Sequence, residues 1–280
     1  MKIGFIGAGK VGCSLGKYLA ANGTALSGYY SRSSESAYEA AEFTGSEVFS
    51  DLSTLLQKSD AVFITVPDNS ICEVYRSLTA FELNEKLICH CSGAMSAKEA
   101  FPDIDKYNAE GYSIHPLFPV SSKFESYDKL KNAFFCIEGD NTHIDLWRKT
   151  FESAGNRVKI ISADIKNKYH AACSISSNLV CALIYESISL LNECGFSESE
   201  AAEAVRPLVM SNIERIFEVG AVNALTGPVE RNDTDTVQKH LGCLSSETDA
   251  EMYRAVSKKL IELAQQKHSD TDYSEMKNIL

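Results

Sequence analysis

The sequence lacks an excess of positive charge. Its 280 residues include 27 Lys and Arg against 38 Asp and Glu, so the formal net charge is −11. Nucleic acids and anionic membranes are bound by positively charged protein surfaces, so we expect neither nucleic acid nor a membrane among the partners. A bound anion must therefore be held by local hydrogen-bond donors.

Metal-binding cysteine pairs are also missing, although the chain has nine cysteines. None has the C-x-x-C spacing of a zinc site, and most lie in apolar runs, where a free thiol packs as a small core residue. We therefore expect reduced thiols, a cytoplasmic protein and no metal. No signal peptide is expected before the first motif, and no apolar run approaches the roughly 20 residues of a membrane span.

Two kinds of segment alternate in the first 162 residues. Apolar runs typical of strands cover residues 2–6, 25–30, 61–66, 87–91, 112–115, 133–138 and 158–161. Segments with helical spacing lie between them, at residues 10–21, 35–43, 51–58, 70–78 and 142–154. This alternation predicts an α/β fold, a doubly wound parallel sheet of Rossmann type with helices on both faces.

No strand is predicted after residue 162. Helical patterns cover residues 164–193, 197–219, 233–243 and 246–267. We therefore expect two domains, the α/β domain over residues 1–162 and an all-α C-terminal domain over residues 163–280. The polar tail from His268 is expected to fray.

A glycine-rich turn of the form G-x-G-x-x-G joins the first predicted strand to the first predicted helix. Gly7 permits a tight turn, Gly9 lets the backbone approach a pyrophosphate, and Gly12 lets the helix pack closely on the strand. The free N–H groups of the helix start, at Lys10 and Val11, are placed to hold phosphates. The alternative is a glycine turn in an α/β protein without a nucleotide.

The end of the second strand favours one dinucleotide. NAD sites place an acid there, but this chain has Ser31, Arg32 and Ser33, with no acid before Glu35. A guanidinium between two hydroxyls suits a 2′-phosphate, which predicts NADP. The alternative is a solvated arginine in a polar loop. Val66 and Pro67, at the end of a later strand, and Ser92, after the next one, complete the predicted cofactor site, although Ser92 could equally belong to a simple turn.

Several motifs together resemble a known group of enzymes. They are Gly4–Gly12, Thr65-Val66-Pro67-Asp68, His115-Pro116-Leu117, Tyr169-His170-Ala171-Ala172 before Ser177-Asn178, and Leu225-Thr226-Gly227-Pro228 with Arg231 and Asp233. The chain resembles a branch of predicted NADP oxidoreductases, which couples a Rossmann domain to a helical domain of unknown function. That branch lies in the superfamily of pyrroline-5-carboxylate reductase, ketopantoate reductase and hydroxyacid dehydrogenases. The resemblance implies the fold, NADP and, since relatives are commonly dimers, a homodimer.

The chain departs from the hydroxyacid dehydrogenases at one position. Those enzymes carry Lys-x-x-x-Asn on the first long helix of the second domain, with lysine as proton donor. The matching asparagine here is Asn178, and Ser174 stands where the lysine is expected. Lys166 and Lys168 lie two or three turns earlier, so no catalytic lysine is carried over.

Two histidines are candidates for the proton transfer that the missing lysine leaves open. His170 lies with Lys166, Ser174 and Asn178 at four-residue spacing along one predicted helix face, which is either a cleft wall or a solvent face. His115 ends a strand at the sheet edge where ligands bind in doubly wound folds. Either imidazole could exchange a proton near neutral pH, or be a hydrogen-bonded structural residue.

The sequence thus predicts an NADP-dependent oxidoreductase that transfers a hydride between nicotinamide and a small carbonyl, imine or hydroxy acid. The predicted catalytic residues are His170, His115, Asn178 and Ser174. The alternative is a non-catalytic protein that binds or senses NADP.

Overall fold

The computed structural model describes all 280 residues. The chain divides into two compact units, Met1–Ser176 and Ser177–Leu280. The sequence predicts the division after residue 162, so the structure assigns a further helical segment to the first unit. The reason is the set of polar contacts that this segment makes with the sheet, described below.

Eight strands form one sheet in the first unit. All seven predicted strands are present, and a two-residue strand, Glu47–Val48, adds another. The strands are β1 Lys2–Ile6, β2 Ala25–Tyr30, β3 Glu47–Val48, β4 Ala61–Ile64, β5 Leu87–His90, β6 Glu110–Leu117, β7 Phe134–Gly139 and β8 Arg157–Ile160.

The strand order is β3-β2-β1-β4-β5-β6-β7-β8. The chain runs outward from β1 in both directions, so the order reverses between β1 and β4, the point where doubly wound folds bind ligands. Neighbouring strands are parallel except for β6 and β7, which are antiparallel. The predicted doubly wound parallel sheet is confirmed, with one antiparallel pair, because a 3₁₀ turn, Tyr127–Asn132, and no crossover helix connects β6 to β7.

Helices cover both faces of this sheet. They are α1 Lys10–Ala21, α2 Ser34–Thr44, α3 Leu52–Lys58, α4 Asp68–Leu78, α5 Ala97–Ala100 and α6 Ile144–Ser153. A further helix, α7 Lys166–Ser176, follows β8 and ends the first unit. Strand β4 is buried on both sides: Phe63 belongs to one apolar cluster and Val62 to the other. A strand buried on both faces reads as a continuous apolar run, which is why periodicity identifies it easily.

The second unit is entirely helical, as predicted. Its helices are α8 Asn178–Glu193, α9 Glu198–Val219, α10 Ala221–Ala224, α11 Thr234–Cys243, α12 Glu247–Lys267 and α13 Ser274–Ile279. A small core includes Val237, Ile261, Tyr273 and Met276. The expectation of a frayed tail is wrong, because the apolar side chains of Tyr273 and Met276 are buried and the Tyr273 hydroxyl donates to the Glu230 carbonyl oxygen.

The predicted helix over residues 164–193 is interrupted. Helix α7 ends at Ser176, and Ser177 has φ −126° and ψ −78°, outside the helical region, before α8 begins at Asn178. The stretch Ala163–Glu193 contains an 18-residue window with a mean hydropathy of 1.4, so it could cross a membrane by length and composition alone. None of the residues of α8 is buried within this chain.

Candidate functional site

A cavity of about 420 Å³ opens where β1 and β4 end. This volume is in the range of ordinary ligand pockets. Its lining includes six residues predicted to bind the cofactor: Gly7, Gly9, Ser31, Arg32, Val66 and Pro67. The glycine turn, the end of β2 and the loop after β4 therefore meet at one site.

The three motif glycines have different surroundings. Gly7 has φ +105°, a conformation that favours glycine, and its N–H donates to the Tyr30 carbonyl oxygen. A Cβ on Gly12 would overlap Thr65 Oγ1 and lie 2.5 Å from the Gly7 carbonyl oxygen. A Cβ on Gly9 would meet no protein atom within 4 Å. Gly12 is therefore required for helix packing, whereas Gly9 borders open space.

The start of α1 has the properties of an anion site. Gly9 is the N-cap, no side chain caps the helix, and no acid lies in its first turn. The first intrahelical bond runs from the Cys13 N–H to the Gly9 carbonyl, so the N–H groups of Lys10, Val11 and Gly12 have no intrahelical acceptor. Lys10 and Val11, which were predicted to hold phosphates through their N–H groups, are not among the residues that line the cavity.

The three predicted cofactor-binding residues in the loop after β2 have different roles. Ser31 and Arg32 line the cavity, and Arg32 forms no ion pair within the chain. Ser33 instead caps α2, because its hydroxyl accepts from the Ser36 N–H at 3.2 Å. Glu73 of α4 is the one acid in the lining. These residues fit a phosphorylated dinucleotide, with a free guanidinium available for an anionic group.

Ser92 has a different environment from the one predicted. Its side chain is buried and its hydroxyl donates to Asp68 Oδ2 at 2.5 Å while accepting from the Met95 N–H. Its carbonyl oxygen accepts from Ser113 Oγ at 3.1 Å and from Lys166 Nζ at 3.2 Å. Ser92 therefore holds the loop after β5 in place, and its hydroxyl is already occupied.

Both candidate histidines converge on Gly93, in the loop after β5. The pairing of β5 with β6 ends at His90 and Ser113, so His115 extends past the end of β5. A Cβ on Gly93 would lie 2.6 Å from His170 Cδ2 and 3.0 Å from His115 Nε2. The two rings are 6.4 Å apart between centroids. A glycine at position 93 leaves the space that the two imidazoles occupy.

His115 is held from one side and open on the other. Its Nδ1 lies 2.7 Å from the Tyr169 hydroxyl. Its Nε2 has no hydrogen-bond partner in the chain and is not fully enclosed by protein atoms. Burial, aided by the charges of Lys166 and His170, lowers the pKa of His115 to about 4. At neutral pH the imidazole is therefore uncharged, with one ring nitrogen free to meet a ligand.

Lys166 is the site residue that sequence reasoning does not identify. It is 1% exposed, and its ammonium donates to Ser113 Oγ, within β6, and to the Ser92 carbonyl oxygen, just after β5. Burial lowers its pKa, and nearby Glu138 of β7 opposes that effect. The sequence shows only a lysine at helical spacing from His170. The two acceptors that fix its place are more than 50 residues away in the chain.

Ser174 and Asn178 are not placed on one continuous helix face. Ser174 is half-buried near the end of α7, in the first unit. Asn178 is exposed and begins α8 in the second unit, beyond the break at Ser177. The predicted four-residue stripe therefore extends from Lys166 through His170 to Ser174, and its continuation to Asn178 is wrong.

Two family models match separate parts of the chain. Residues 2–92 match "NADP oxidoreductase coenzyme F420-dependent", and residues 133–260 match "Domain of unknown function (DUF2520)". The chain therefore combines an N-terminal domain of the NADP oxidoreductase family with a C-terminal domain of unknown function. No curated protein sequence matches it significantly.

Solved structures share this fold along the whole chain. A Thermotoga maritima protein is 27% identical, with a TM-score of 0.73, over 95% of this chain and 99% of its own. A predicted NADP oxidoreductase from Bacteroides fragilis is 21% identical, with a TM-score of 0.71, over 93% and 98%. A Plasmodium falciparum pyrroline carboxylate reductase with NADP bound is 14% identical, with a TM-score of 0.59, over 100% and 98%.

Proposed function

We propose that this protein is an NADP-dependent oxidoreductase that transfers a hydride between nicotinamide and a small carbonyl, imine or hydroxy acid. The observation that carries the proposal is the open Nε2 of an uncharged His115, at the same sheet edge as the dinucleotide cavity. Only β4 separates β1, which leads into the cavity, from β5, which leads to Gly93. Two strand spacings are roughly 10 Å.

The cofactor part of the proposal rests on the cavity. The open side of Gly9 and the uncapped start of α1 provide N–H donors for a pyrophosphate. Arg32 provides a cation without an ion-pair partner, which favours a 2′-phosphate over a ribose hydroxyl. The NADP bound by the Plasmodium falciparum relative supports the same assignment.

His115 and His170 supply the hydrogen bond and the proton that hydride transfer needs and that the cofactor does not provide. When bound, nicotinamide donates or accepts the hydride. In its Nε2–H form, His115 donates a hydrogen bond to the substrate oxygen or nitrogen where negative charge develops during reduction. His170 lies beside it and is exposed, so it can exchange a proton with solvent and with the product heteroatom. The Lys166 ammonium already donates hydrogen bonds to the Ser92 carbonyl oxygen and Ser113 Oγ, so its role is to hold β6 and the loop after β5 together.

The experiment is NADPH oxidation across a panel of keto acids, cyclic imines and aldehydes. We expect His115→Gln to lower kcat by about 10²–10³-fold, the usual effect of removing a donor at a developing charge, while NADPH affinity is retained. His240→Gln, on α11 of the helical unit, is the control and should leave kcat unchanged. Full turnover in His115→Gln and in His170→Gln with an identified substrate would refute the assignment.

The second candidate is a non-catalytic NADP-binding or sensing protein. Ser174, at the place of the lysine of related dehydrogenases, favours it. Tight NADPH binding without turnover of any panel member would support this candidate against the enzyme.

We also propose that a second copy of the chain covers α8. Leu179, Leu183 and Tyr185 are exposed by 52%, 38% and 74%, and Leu208 and Phe217 of α9 by 67% and 86%. Apolar side chains exposed at this density mark an interaction surface. A net charge of −11 disfavours an anionic membrane as the occupant.

A further inference from the structure

We propose that Tyr169 is a positioning residue that holds His115 in the Nε2–H tautomer, so that the ring presents a hydrogen-bond donor to the space beside Gly93. The proposal deepens the function proposed above and rests on the role given there to His115. It concerns a residue that touches neither the cavity nor the open nitrogen.

The geometry of the pair is specific. Tyr169 Oη and His115 Nδ1 are 2.7 Å apart, a normal distance for an O–H···N hydrogen bond. The two rings meet edge to face, with centroids 5.6 Å apart and planes at 84°. Tyr169 lies on α7 between Lys166 and His170, so the helix anchored by the buried lysine also presents the hydroxyl to His115.

The direction of the hydrogen bond follows from the available acceptors. Burial and the neighbouring thiols of Cys136 and Cys173 raise the pKa of Tyr169, so the phenol remains protonated. Burial also raises the pKa of Cys136, which therefore stays a thiol, and a thiol sulfur is a weak acceptor. The best acceptor for the phenol proton is the imidazole nitrogen. With Nδ1 accepting, the single proton of a neutral imidazole is on Nε2.

The groups around His115 also keep the ring uncharged. Lys166, Tyr169 and His170 face it from α7, Cys136 pairs with it from β7, and His90 lies nearby on β5. None of these is an acid, and Lys166 and His170 both oppose a positive charge on the ring. Because the ring is neutral, the tautomer alone decides whether Nε2 donates or accepts.

The test is to record the ring nitrogen signals of histidine by NMR on the cofactor-free chain, together with kinetics. In the parent protein we expect His115 to show a protonated Nε2 and an unprotonated Nδ1. In Tyr169→Phe this tautomer should lose its dominance, and kcat should fall by about 2- to 13-fold, the usual worth of one neutral hydrogen bond, with KM for NADPH unchanged.

A matched control exists in the second unit. Tyr253 Oη lies 2.7 Å from Nδ1 of His240, the same pairing at an exposed histidine. Tyr253→Phe should alter the His240 signals and leave kcat unchanged. A protonated Nδ1 at His115 in the parent protein, or an unaltered tautomer in Tyr169→Phe, would overturn the inference. An altered tautomer together with turnover that is insensitive to His115→Gln would support the positioning role and overturn only the proposed function of His115.

Discussion

Replacing Gly9 by alanine should separate cofactor binding from folding. Gly9 has φ −79° and ψ −166°, which alanine adopts without strain, and the added Cβ would meet no protein atom within 4 Å. Replacement of an unstrained glycine typically adds about 0.4–1 kcal/mol of stability, because the unfolded chain loses freedom. For a unit of this size the melting temperature should rise by roughly 1–4 °C.

The same Cβ would stand where a pyrophosphate must approach the backbone. Loss of one hydrogen bond from a backbone N–H to a charged phosphate oxygen costs about 1.5–3 kcal/mol. The NADPH dissociation constant should therefore rise roughly 10- to 150-fold. Gly9→Ala is thus expected to be a more stable protein that binds its cofactor poorly.

Gly12→Ala provides the contrast within the same motif. Its Cβ would overlap Thr65 Oγ1 and the backbone oxygen of Gly7, so the helix must shift. Overpacking of this kind costs about 1–3 kcal/mol, and the melting temperature should fall. The two glycines should therefore change stability in opposite directions while both weaken NADPH binding.

Titration calorimetry with NADPH and thermal unfolding of the apoprotein measure the two effects. Gly242→Ala on α11, whose Cβ would also be in open space, is the control and should leave NADPH affinity unchanged. Parent-like NADPH affinity in Gly9→Ala would refute the placement of the pyrophosphate at this turn.

Two further predictions concern the other end of the cofactor and the exposed helix. Arg32→Ala should weaken NADP binding by roughly 10- to 150-fold through loss of a charge-assisted bond, while leaving NAD affinity nearly unchanged. The control Ser33→Ala removes only the cap of α2 and should keep the preference for NADP over NAD. An unchanged preference in Arg32→Ala would exclude the contact with the 2′-phosphate. Leu183→Glu should convert a dimer into a monomer by light scattering after gel filtration, with NADPH affinity retained, whereas a monomeric parent protein that binds neutral lipid vesicles would identify the bilayer as the occupant of α8.

Local patterns predict the first unit closely because each element carries its own signal. The strand β4 is recognisable as a continuous apolar run, and α1 begins directly after the glycine turn. The elements that were missed are short: Glu47–Val48 has two residues and Ala97–Ala100 has four. Segments of that length contain only about one period of a strand or helix pattern, too little for a repeat to show, and their neighbours decide their conformation.

The sequence predicts some residues of the candidate site correctly and misassigns the side chains of others. Gly7, Gly9 and Arg32 are found because the dinucleotide motif is local and has fixed spacing. Ser92 and Ser33 are assigned to the cofactor by position, yet their hydroxyls are engaged with Asp68 and with the Ser36 N–H. Position along a strand fixes which end of the sheet a residue occupies, whereas competition among nearby donors and acceptors fixes what its side chain does.

The sequence alone determined that a Rossmann-type sheet forms the first unit and that the second unit is helical. Turn geometry, helix starts and buried strands depend on residues within a few positions of one another. Only the tertiary structure decided that His115, Tyr169 and Lys166 form one cluster beside Gly93. That cluster joins the loop after β5 and the strand β6 to α7, across more than 70 positions between Ser92 and Lys166. The contacts depend on strand order and on where α7 meets the sheet, and no local periodicity encodes either.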